Sequence, residues 1–306
     1  MSTKTDVAKA DIDILARSWR RSLLAANKST KTVGIYLYAV GRLAAYLAEK
    51  NMPQCVEGLA REHIESFFAD LRATGAKPTT CSTYYRSLNV FFNWLVEEGE
   101  LRESPMRKMK GPTIPDTPPP VLSEDQLRRL LKACEGKGFR DRRDNALIRL
   151  LADSGMRRAE CAGLKVADID LDLNVAYVMG KGRRPRACVF GRKTAAALDK
   201  YLRVRAHHPH ARREDLWLGV THPTLSGPGI EDMVKRRASQ AGLPPIHPHL
   251  FRHAFAHAWL AQGGTEGDLM RLGGWSSRTI MSKYGASAAS ERAREAHKKL
   301  SLGDRL

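Results

Sequence analysis

A proline-rich stretch near the middle of the chain most limits the folds that it can adopt. Five of the ten residues in GPTIPDTPPP, residues 111–120, are proline. Proline fixes φ and lacks a backbone N–H, so neither a helix interior nor a central strand can run through this stretch. The sequence therefore predicts two domains, residues 1–110 and 121–306, joined by a semi-extended linker at 111–120.

Before the linker, apolar residues recur at the spacing of an α-helix. One such stripe consists of Val33, Leu37, Val40, Ala44 and Leu47. Similar stripes at 14–24, 64–71 and 78–95 predict four helices in all. The aromatic residues on these stripes fit a buried core better than a base-stacking surface; they are Phe67, Phe91, Phe92 and Trp94.

After the linker, helical and strand patterns are mixed. Ser123-Glu-Asp-Gln126 is a capping box, which predicts the start of a helix. Residues 174–179 alternate in polarity, residues 180–183 form a turn, and residues 187–190 read as the return strand. Most of the remainder has helical spacing. The sequence therefore predicts a fold that is mainly α with a small β-sheet.

Basic residues outnumber acidic ones in both predicted domains. The 306-residue chain has 51 Lys and Arg against 33 Asp and Glu, a formal net charge of +18. Residues 1–111 carry 17 basic and 12 acidic side chains, and residues 112–306 carry 34 and 21. This surplus favours nucleic acid as the partner, because each neutralised phosphate releases condensed counterions. Solubility and affinity for an acidic membrane surface are the alternatives, but no strongly basic amphipathic helix supports the membrane.

The sequence contains no pattern that is typical of export or membrane insertion. No apolar run approaches the ~18 residues that a membrane-spanning helix needs. The N-terminus is polar and mixed in charge, which does not fit a secretory signal. Five cysteines, an odd number, stand far apart and form no C-x-x-C pair. We expect reduced thiols and a cytoplasmic location, on the nucleoid when the protein is bound to DNA.

Four polar segments together suit the chemistry of attack on a DNA phosphodiester. They are GMRRAE (155–160), GKGRR (180–184), HPHLFRH (247–253) and LGGWSSRTIMSKY (272–284). Each has an ordinary structural explanation when taken alone. Together they supply arginines that can bind charged phosphoryl oxygens and a tyrosine that can attack phosphorus. Tyrosine has a pKa of about 10, so it needs a base or a strongly cationic site.

Metal and nucleotide chemistry fit the sequence less well. His249, His253 and His257 recur every four residues, as zinc ligands on one helix face would. They lack the glutamate of H-E-x-x-H, and no cysteine pair lies nearby. The chain has no G-x-x-x-x-G-K-[ST] motif. We therefore expect no metal and no other cofactor.

The same four segments, in this order, resemble the tyrosine recombinase (phage integrase) family. GMRRAECAGL (155–164) resembles its first arginine motif, and MGKGRRPR (179–186) resembles its β-hairpin. HPHLFRHAFAH (247–257) resembles its His-x-x-Arg motif, and LGGWSSRTIMSKYG (272–285) resembles the segment with the nucleophile. FFNWLVEEGELRESP (91–105) is similar to the end of the family's SAM-like core-binding domain, and the whole resemblance runs from about residue 12 to residue 300. The resemblance implies a helical core-binding domain followed by an α+β catalytic domain.

The resemblance also implies a role for each matched residue. Tyr284 would be the nucleophile, and Arg157 and Arg252 would bind the phosphate. His249 would act as acid and base, and Lys181 would be the general acid.

Glu160 and Trp275 complete the predicted set of site residues. Glu160 would support the site. Trp275 stands where many members have histidine, and its indole N–H can still donate to a phosphate oxygen. It cannot transfer a proton, so acid–base duty would fall on His249 and Lys181. The tryptophan is less typical of the chromosome-dimer-resolving branch and favours a mobile element.

The resemblance implies a DNA strand transferase that works through a 3′-phosphotyrosyl intermediate without ATP or metal. Its partners would be double-stranded DNA and three further copies of the chain, a tetramer on two recombination sites. The C-terminal segment, residues 286–300, would dock on a neighbouring protomer. An excisionase or a DNA-bending accessory protein is a further possible partner. Dimer resolution, a type IB topoisomerase-like relaxer and a non-catalytic DNA-binding regulator stay open as alternatives.

Overall fold

The computed structural model describes residues 11–115, 120–180 and 185–275, and six residues nearer the C-terminus. Those six are Ala293, Arg294, His297, Lys298, Ser301 and Gly303. The chain divides into two compact units, Met1–Asp116 and Thr117–Leu306. Part of the predicted linker, residues 116–119, lies outside the described residues, so its extended form stays a prediction. No helix in the described part of the chain is both long and apolar enough to cross a lipid bilayer.

The first unit is helical, as the apolar stripes predicted. Its helices are α1 (Ile12–Ala25), α2 (Thr30–Glu49), α3 (Arg61–Ala73) and α4 (Pro78–Glu97). A single tight helical turn at Val56–Gly58, which no sequence pattern predicted, precedes α3. Asp11 and Ser29 cap the first two helices by accepting backbone N–H groups.

Aromatic side chains fill the core of this unit. Trp19 is 1% exposed and stacks on Tyr36 with ring centres 5.5 Å apart. Phe67, Phe91 and Phe92 are at most 1% exposed. The prediction that these phenylalanines form a core, and not a base-stacking surface, is confirmed.

The second unit combines seven helices with one small sheet in its described part. The helices are α5 (Glu124–Lys132), α6 (Phe139–Ser154), α7 (Arg158–Ala162), α8 (Arg192–Arg205), α9 (Gly227–Gln240), α10 (His249–Ala261) and α11 (Glu266–Gly273). The strands are β1 (Ile169–Asp170), β2 (Val175–Met179) and β3 (Pro185–Val189), paired antiparallel in the order β1-β2-β3. The fold class predicted from the sequence is therefore confirmed.

Local sequence explains where several of these elements begin and end. Ser123 and Gln126 form the predicted capping box, with reciprocal hydrogen bonds of 3.0 and 3.1 Å. α6 starts at Phe139, and its first two turns carry the buried ions Arg143 and Asp144. The short strand β1 was not predicted. Two residues are too few for an alternating pattern to be visible.

Helix α6 occupies the centre of this unit, where it packs against α5, α8, α10 and β3. Leu147, Ile148, Leu150 and Leu151 on it are completely buried. α6 ends at Ser154, and the next residue, Gly155, has a φ of +58°, in the left-handed region that favours glycine. The chain then turns directly into the segment that carries Arg157.

Candidate active site

Arg157 and Glu160 form a closed pair at the start of α7. The Glu160 carboxylate accepts the backbone N–H of Arg157 at 2.8 Å and its guanidinium Nη1 at 2.7 Å. The Glu160 side chain is 6% exposed, whereas that of Arg157 is 37% exposed. The glutamate is thus an internal support, and the arginine presents its outer edge to solvent. The next residue, Arg158, pairs instead with Glu231 on α9.

Arg186 on β3 is a second support for the site and was not among the predicted site residues. Its Nη2 donates to Glu160 Oε2 at 2.6 Å, and its Nη1 donates to the carbonyl oxygen of Leu272 at 2.5 Å. One signal could have revealed it. Arg186 and the buried Cys188 are two residues apart on β3, so their side chains lie on the same face of the strand. Because Cys188 is buried, that face is the inward one.

The charge on Glu160 is stabilised despite its burial. Burial alone would raise its pKa, but the hydrogen bonds from Arg157 and the charge of Arg186 outweigh that effect and lower the pKa. Glu160 is therefore an anion at neutral pH. It holds two guanidinium groups in place, and because one negative charge faces two positive ones, the site keeps a net positive charge.

The end of α11 closes over this cluster. Arg157 Nη2 donates to the carbonyl oxygen of Gly274 at 3.0 Å. Gly274 ends α11 with a φ of +64°, and a Cβ there would lie 2.9 Å from Arg186 Nε. Glycine is therefore required both by the backbone conformation and by the closeness of the guanidinium.

Arg252 lies on α10 and is almost entirely enclosed. It is 2% exposed, and its Nη1 donates to the carbonyl oxygen of Gly155 at 2.7 Å. Its guanidinium carbon lies 3.7 Å from the ring centre of Trp275. A Cβ on Gly155 would come within 2.3 Å of the Phe255 ring, so this contact between α6 and α10 also depends on glycine.

Trp275 is placed mainly to pack against protein. It is 7% exposed and lies in a small apolar cluster with Ala256, Leu260 and Leu269. Gly273 makes room for it, because a Cβ at Gly273 would lie 1.7 Å from the indole ring. One face of the ring supports the Arg252 guanidinium. This position indicates a packing role, and the predicted hydrogen bond to phosphate stays a prediction.

His249 begins α10 on the same side as Arg252. Burial and the positive charges of Arg252 and Arg157 lower its pKa. His249 is therefore close enough to both arginines for their positive charges to disfavour its protonated form. It is neutral at neutral pH. Its ring meets that of His253 edge to face, with centres 4.7 Å apart.

Two of the predicted site residues, Lys181 and Tyr284, lie outside the described residues. Lys181 belongs to the connection between β2 and β3, whose flanking residues Met179 and Pro185 are paired in the sheet. Tyr284 follows Trp275 by nine residues. The described residues therefore bring together Arg157, Glu160, His249, Arg252 and Trp275 and leave the other two roles as predictions.

The zinc alternative can also be compared with the geometry. His249, His253 and His257 share helix α10, as their spacing indicated. Within the ranges 11–115, 120–180 and 185–275, no group of three His, Cys, Asp or Glu side chains is arranged to hold a metal ion.

Comparison with known proteins gives the family. A model described as "Phage integrase family" matches residues 120–291, and one described as "Phage integrase, N-terminal SAM-like domain" matches residues 15–99. The chain belongs to the phage integrase family. It is thus a DNA-binding tyrosine recombinase, and the family predicted from the sequence is confirmed.

Individual proteins show how similar the relatives are. Tyrosine recombinase XerD of Listeria monocytogenes serovar 1/2a is 30% identical over 209 residues, 67% of this chain and 70% of that protein. Two solved structures share the fold at lower identity. The Tn1549 transposon integrase with transposon right end DNA has a TM-score of 0.76 at 18% identity, covering 96% of this chain and 100% of that one. A lambda integrase tetramer bound to a Holliday junction has a TM-score of 0.71 at 15% identity, covering 90% and 83%.

Proposed function

We propose that this recombinase cuts and rejoins DNA at a specific site through a covalent 3′-phosphotyrosyl intermediate on Tyr284. The observation that carries the proposal is the convergence of Arg157, Arg252 and His249, with Glu160 and Trp275 behind them. Forked guanidinium donors suit the non-bridging oxygens of a phosphoryl group, on which negative charge accumulates during attack. Two arginines anchored to backbone carbonyls bind such a group without rearrangement.

Each proton in the proposed reaction has a donor and an acceptor. The Tyr284 hydroxyl attacks phosphorus, and its proton passes to neutral His249. The bond to the 5′ oxygen breaks, and that oxygen takes a proton from Lys181. In the second step, a 5′ hydroxyl of the partner duplex attacks the phosphotyrosine, and the protons return by the same route. One phosphoester replaces another at each step, so the chemistry consumes neither ATP nor a metal-bound water.

Two biological roles have support, and we propose the first. A mobile element is favoured by Trp275 and by the fold shared with the Tn1549 transposon integrase. Resolution of chromosome or plasmid dimers is favoured by the 30% identity to XerD of Listeria monocytogenes. The chemistry is the same in both. A non-catalytic regulator is less favoured, because it would have no need for the aligned arginines and histidine.

The active assembly that we propose is a tetramer on two DNA sites. The lambda integrase tetramer on a Holliday junction has the same fold and supports this arrangement. The C-terminal segment 286–300 would bind a neighbouring protomer, and an excisionase or DNA-bending protein would set the direction. Because the substrate is DNA, the proposed location is the cytoplasm, on the nucleoid when bound.

The decisive experiment detects the covalent intermediate. A cognate site is first selected from a random duplex library by binding, and a nick is then placed beside the scissile phosphate, so that cleavage traps the protein. Wild type should form a denaturant-resistant protein–DNA adduct, and Tyr284→Phe should bind the same duplex without forming it. An adduct that persists in Tyr284→Phe, or binding by wild type with no adduct, contradicts the proposal. Relaxation of plasmids that lack the site would favour the topoisomerase alternative.

A further inference from the structure

A basic groove lies between α6 and α8 of the second unit. It has a volume of about 520 Å³ and is bordered by five cationic side chains: Lys137, Arg142, Arg149, Lys193 and Lys200. Glu135 is the single carboxylate among its lining residues. None of the reacting or phosphate-binding residues described above belongs to it. The groove is therefore a separate concentration of positive charge.

Several exposed basic side chains of the same unit are neutralised by a nearby acid, as in the pairs Arg128–Glu124, Arg203–Asp199 and Arg213–Asp215. In the part of the chain that the structure describes, none of the five groove cations has a carboxylate within 4.0 Å. Arg149 is instead held by the neutral Asn145 side chain, whose Oδ1 accepts its Nε–H at 3.0 Å. That contact orients the guanidinium and leaves its charge available.

The spacing of the cations suits a row of phosphates. Arg142 and Arg149 are seven residues apart on α6, and Lys193 and Lys200 are seven apart on α8. Seven residues rise about 10.5 Å along a helix. Successive phosphates of one DNA strand are separated by about 3.4 Å along the duplex axis, so each pair spans about three of them.

The groove has an uncharged, buried floor and a rim that packs tightly against α6. Cys134 and Ala197 in the floor are buried, and burial raises the pKa of the Cys134 thiol to about 12, so the floor is uncharged. The rim that carries Lys137 turns tightly at Gly136. A Cβ at Gly136 would lie 2.1 Å from the Asp141 carboxylate, so only glycine lets this loop approach α6 so closely.

We propose that this groove binds the phosphate backbone of DNA and gives the recombinase an additional contact surface, separate from the phosphate held by Arg157 and Arg252. The proposal rests on the proposed function only in taking DNA as the partner. Such a contact is independent of base sequence, because phosphates position a protein without specifying bases. It can therefore be tested on a generic duplex, with no knowledge of the recombination site.

The test compares two triple variants of the full chain that change net charge equally. The groove variant is Lys137→Gln/Lys193→Gln/Lys200→Gln, and the control is Arg128→Gln/Arg203→Gln/Arg213→Gln. All six side chains are exposed, so both variants should fold, which circular dichroism checks. Fluorescence anisotropy then gives the affinity for a generic 30-base-pair duplex over a series of KCl concentrations.

The groove variant should lose a distinct part of the salt dependence. Each phosphate contact adds about 0.9 to the slope of log K against log salt, so three lost contacts should reduce it by about 2 to 3. The control should change it by less than about 1, because its arginines already have acidic partners. Equal changes in the two variants would overturn the proposal, since they would reflect net charge alone.

Two further results separate the possible failures. If calorimetry shows that free tripolyphosphate occupies the groove while the duplex slope is the same in the groove variant and wild type, the ligand is a free polyphosphate and the DNA proposal is overturned. If wild type does not bind DNA at all, the proposed function itself fails. Binding by wild type with equal slopes in both triple variants defeats the groove proposal only.

Discussion

Arg252 and Trp275 face each other across two helices, with the guanidinium carbon 3.7 Å from the ring centre. The arginine comes from α10, and the tryptophan follows α11. A contact of this kind contributes about 0.5 to 2 kcal/mol, the larger value applying where water is excluded. Because Arg252 is 2% exposed and Trp275 is 7% exposed, water is excluded here. The indole thus fixes the guanidinium before DNA arrives.

Trp275→Ala should therefore reduce both stability and cleavage. Removing a buried tryptophan leaves a cavity that costs about 3 to 5 kcal/mol, and Arg252 loses its support. We expect adduct formation per folded molecule to fall by at least about tenfold, equivalent to 1.4 kcal/mol. Trp275→Phe keeps an aromatic face and should lose less. Thermal unfolding and the nicked-duplex assay measure the two effects.

Trp259 provides the matched control for this prediction. It packs against the same apolar cluster, and its Nε1 donates to the Thr265 carbonyl oxygen. Trp259→Ala should destabilise the protein, yet folded molecules should cleave normally. If folded Trp275→Ala cleaves as fast as folded Trp259→Ala, the stacking has no catalytic consequence.

The sequence predicted most of the fold because each long element repeats its pattern several times. The stripe from Val33 to Leu47 and the alternation from Val175 to Met179 are examples. It also predicted that Arg157, His249 and Arg252 would lie close together. That prediction came from the family resemblance and not from the spacing of the residues.

What the sequence could not show are contacts between distant segments. Arg186 touches Leu272 across 86 positions, and Arg157 touches Gly274 across 117. No local periodicity encodes such pairs. Trp275 illustrates the same limit, since its burial depends on the space left by Gly273 and on the position of α10.

The Glu160 carboxylate should make stability depend on pH in the acid range. Its folded-state pKa lies below the unfolded value of about 4.3. The unfolded chain therefore takes up the proton at a higher pH than the folded chain. The stabilisation is complete above the unfolded pKa and is lost as pH falls through the folded one. Urea unfolding of wild type and Glu160→Gln should differ most at neutral pH and converge in acid. A constant difference across this range would contradict the prediction.

His249 and His253 should titrate unusually late when the pH is lowered. Burial, the neighbouring His249 and the charge of Arg252 lower the pKa of His253 to about 4. Burial and both arginines also lower that of His249. The unfolded chain binds these protons first, near pH 6.5. Stability should therefore fall from about pH 6.5 towards the folded values.

NMR of the imidazole Cε1–H signals tests this directly. The His253 signal should move near pH 4 and that of His249 below its usual range. A short unstructured peptide that contains histidine gives the reference titration in the same buffer. A His253 signal that moves with that of the peptide would contradict the assignment.

Asp144 should matter for stability and not for chemistry. It is completely buried on α6 and bonds three arginines, Arg143, Arg236 and Arg237, at 2.8 to 2.9 Å. Asp144→Asn would leave the charge of Arg143, whose side chain is 3% exposed, without its carboxylate partner in the interior, which costs about 3 to 5 kcal/mol. Asp199→Asn breaks an exposed pair with Arg203 and should cost much less, because solvent screens that pair. Urea unfolding compares them, and comparable losses would show that burial does not set the cost.

Arg186 should prove to be a positioning residue that affects cleavage more than binding. Its guanidinium joins β3, through Glu160, to the α7 motif and, through the Leu272 carbonyl, to the end of α11. Lysine keeps the charge but cannot donate in a fork to both acceptors. Because the side chain is 12% exposed, it has little surface to offer DNA. Arg186→Lys should thus slow adduct formation at least about tenfold while the duplex Kd stays within about twofold, a change of 0.4 kcal/mol.

A second readout distinguishes positioning from a general loss of structure. Removing the charge in Arg186→Gln takes away one of the groups that lower the Glu160 pKa, so that pKa should rise. The acid decline in stability should then be smaller than in wild type and end at a higher pH. Arg213→Gln, which breaks an exposed pair with Asp215, should change neither the cleavage rate nor this pH profile. Equal loss of binding and cleavage in Arg186→Lys would instead assign Arg186 to the DNA-binding surface.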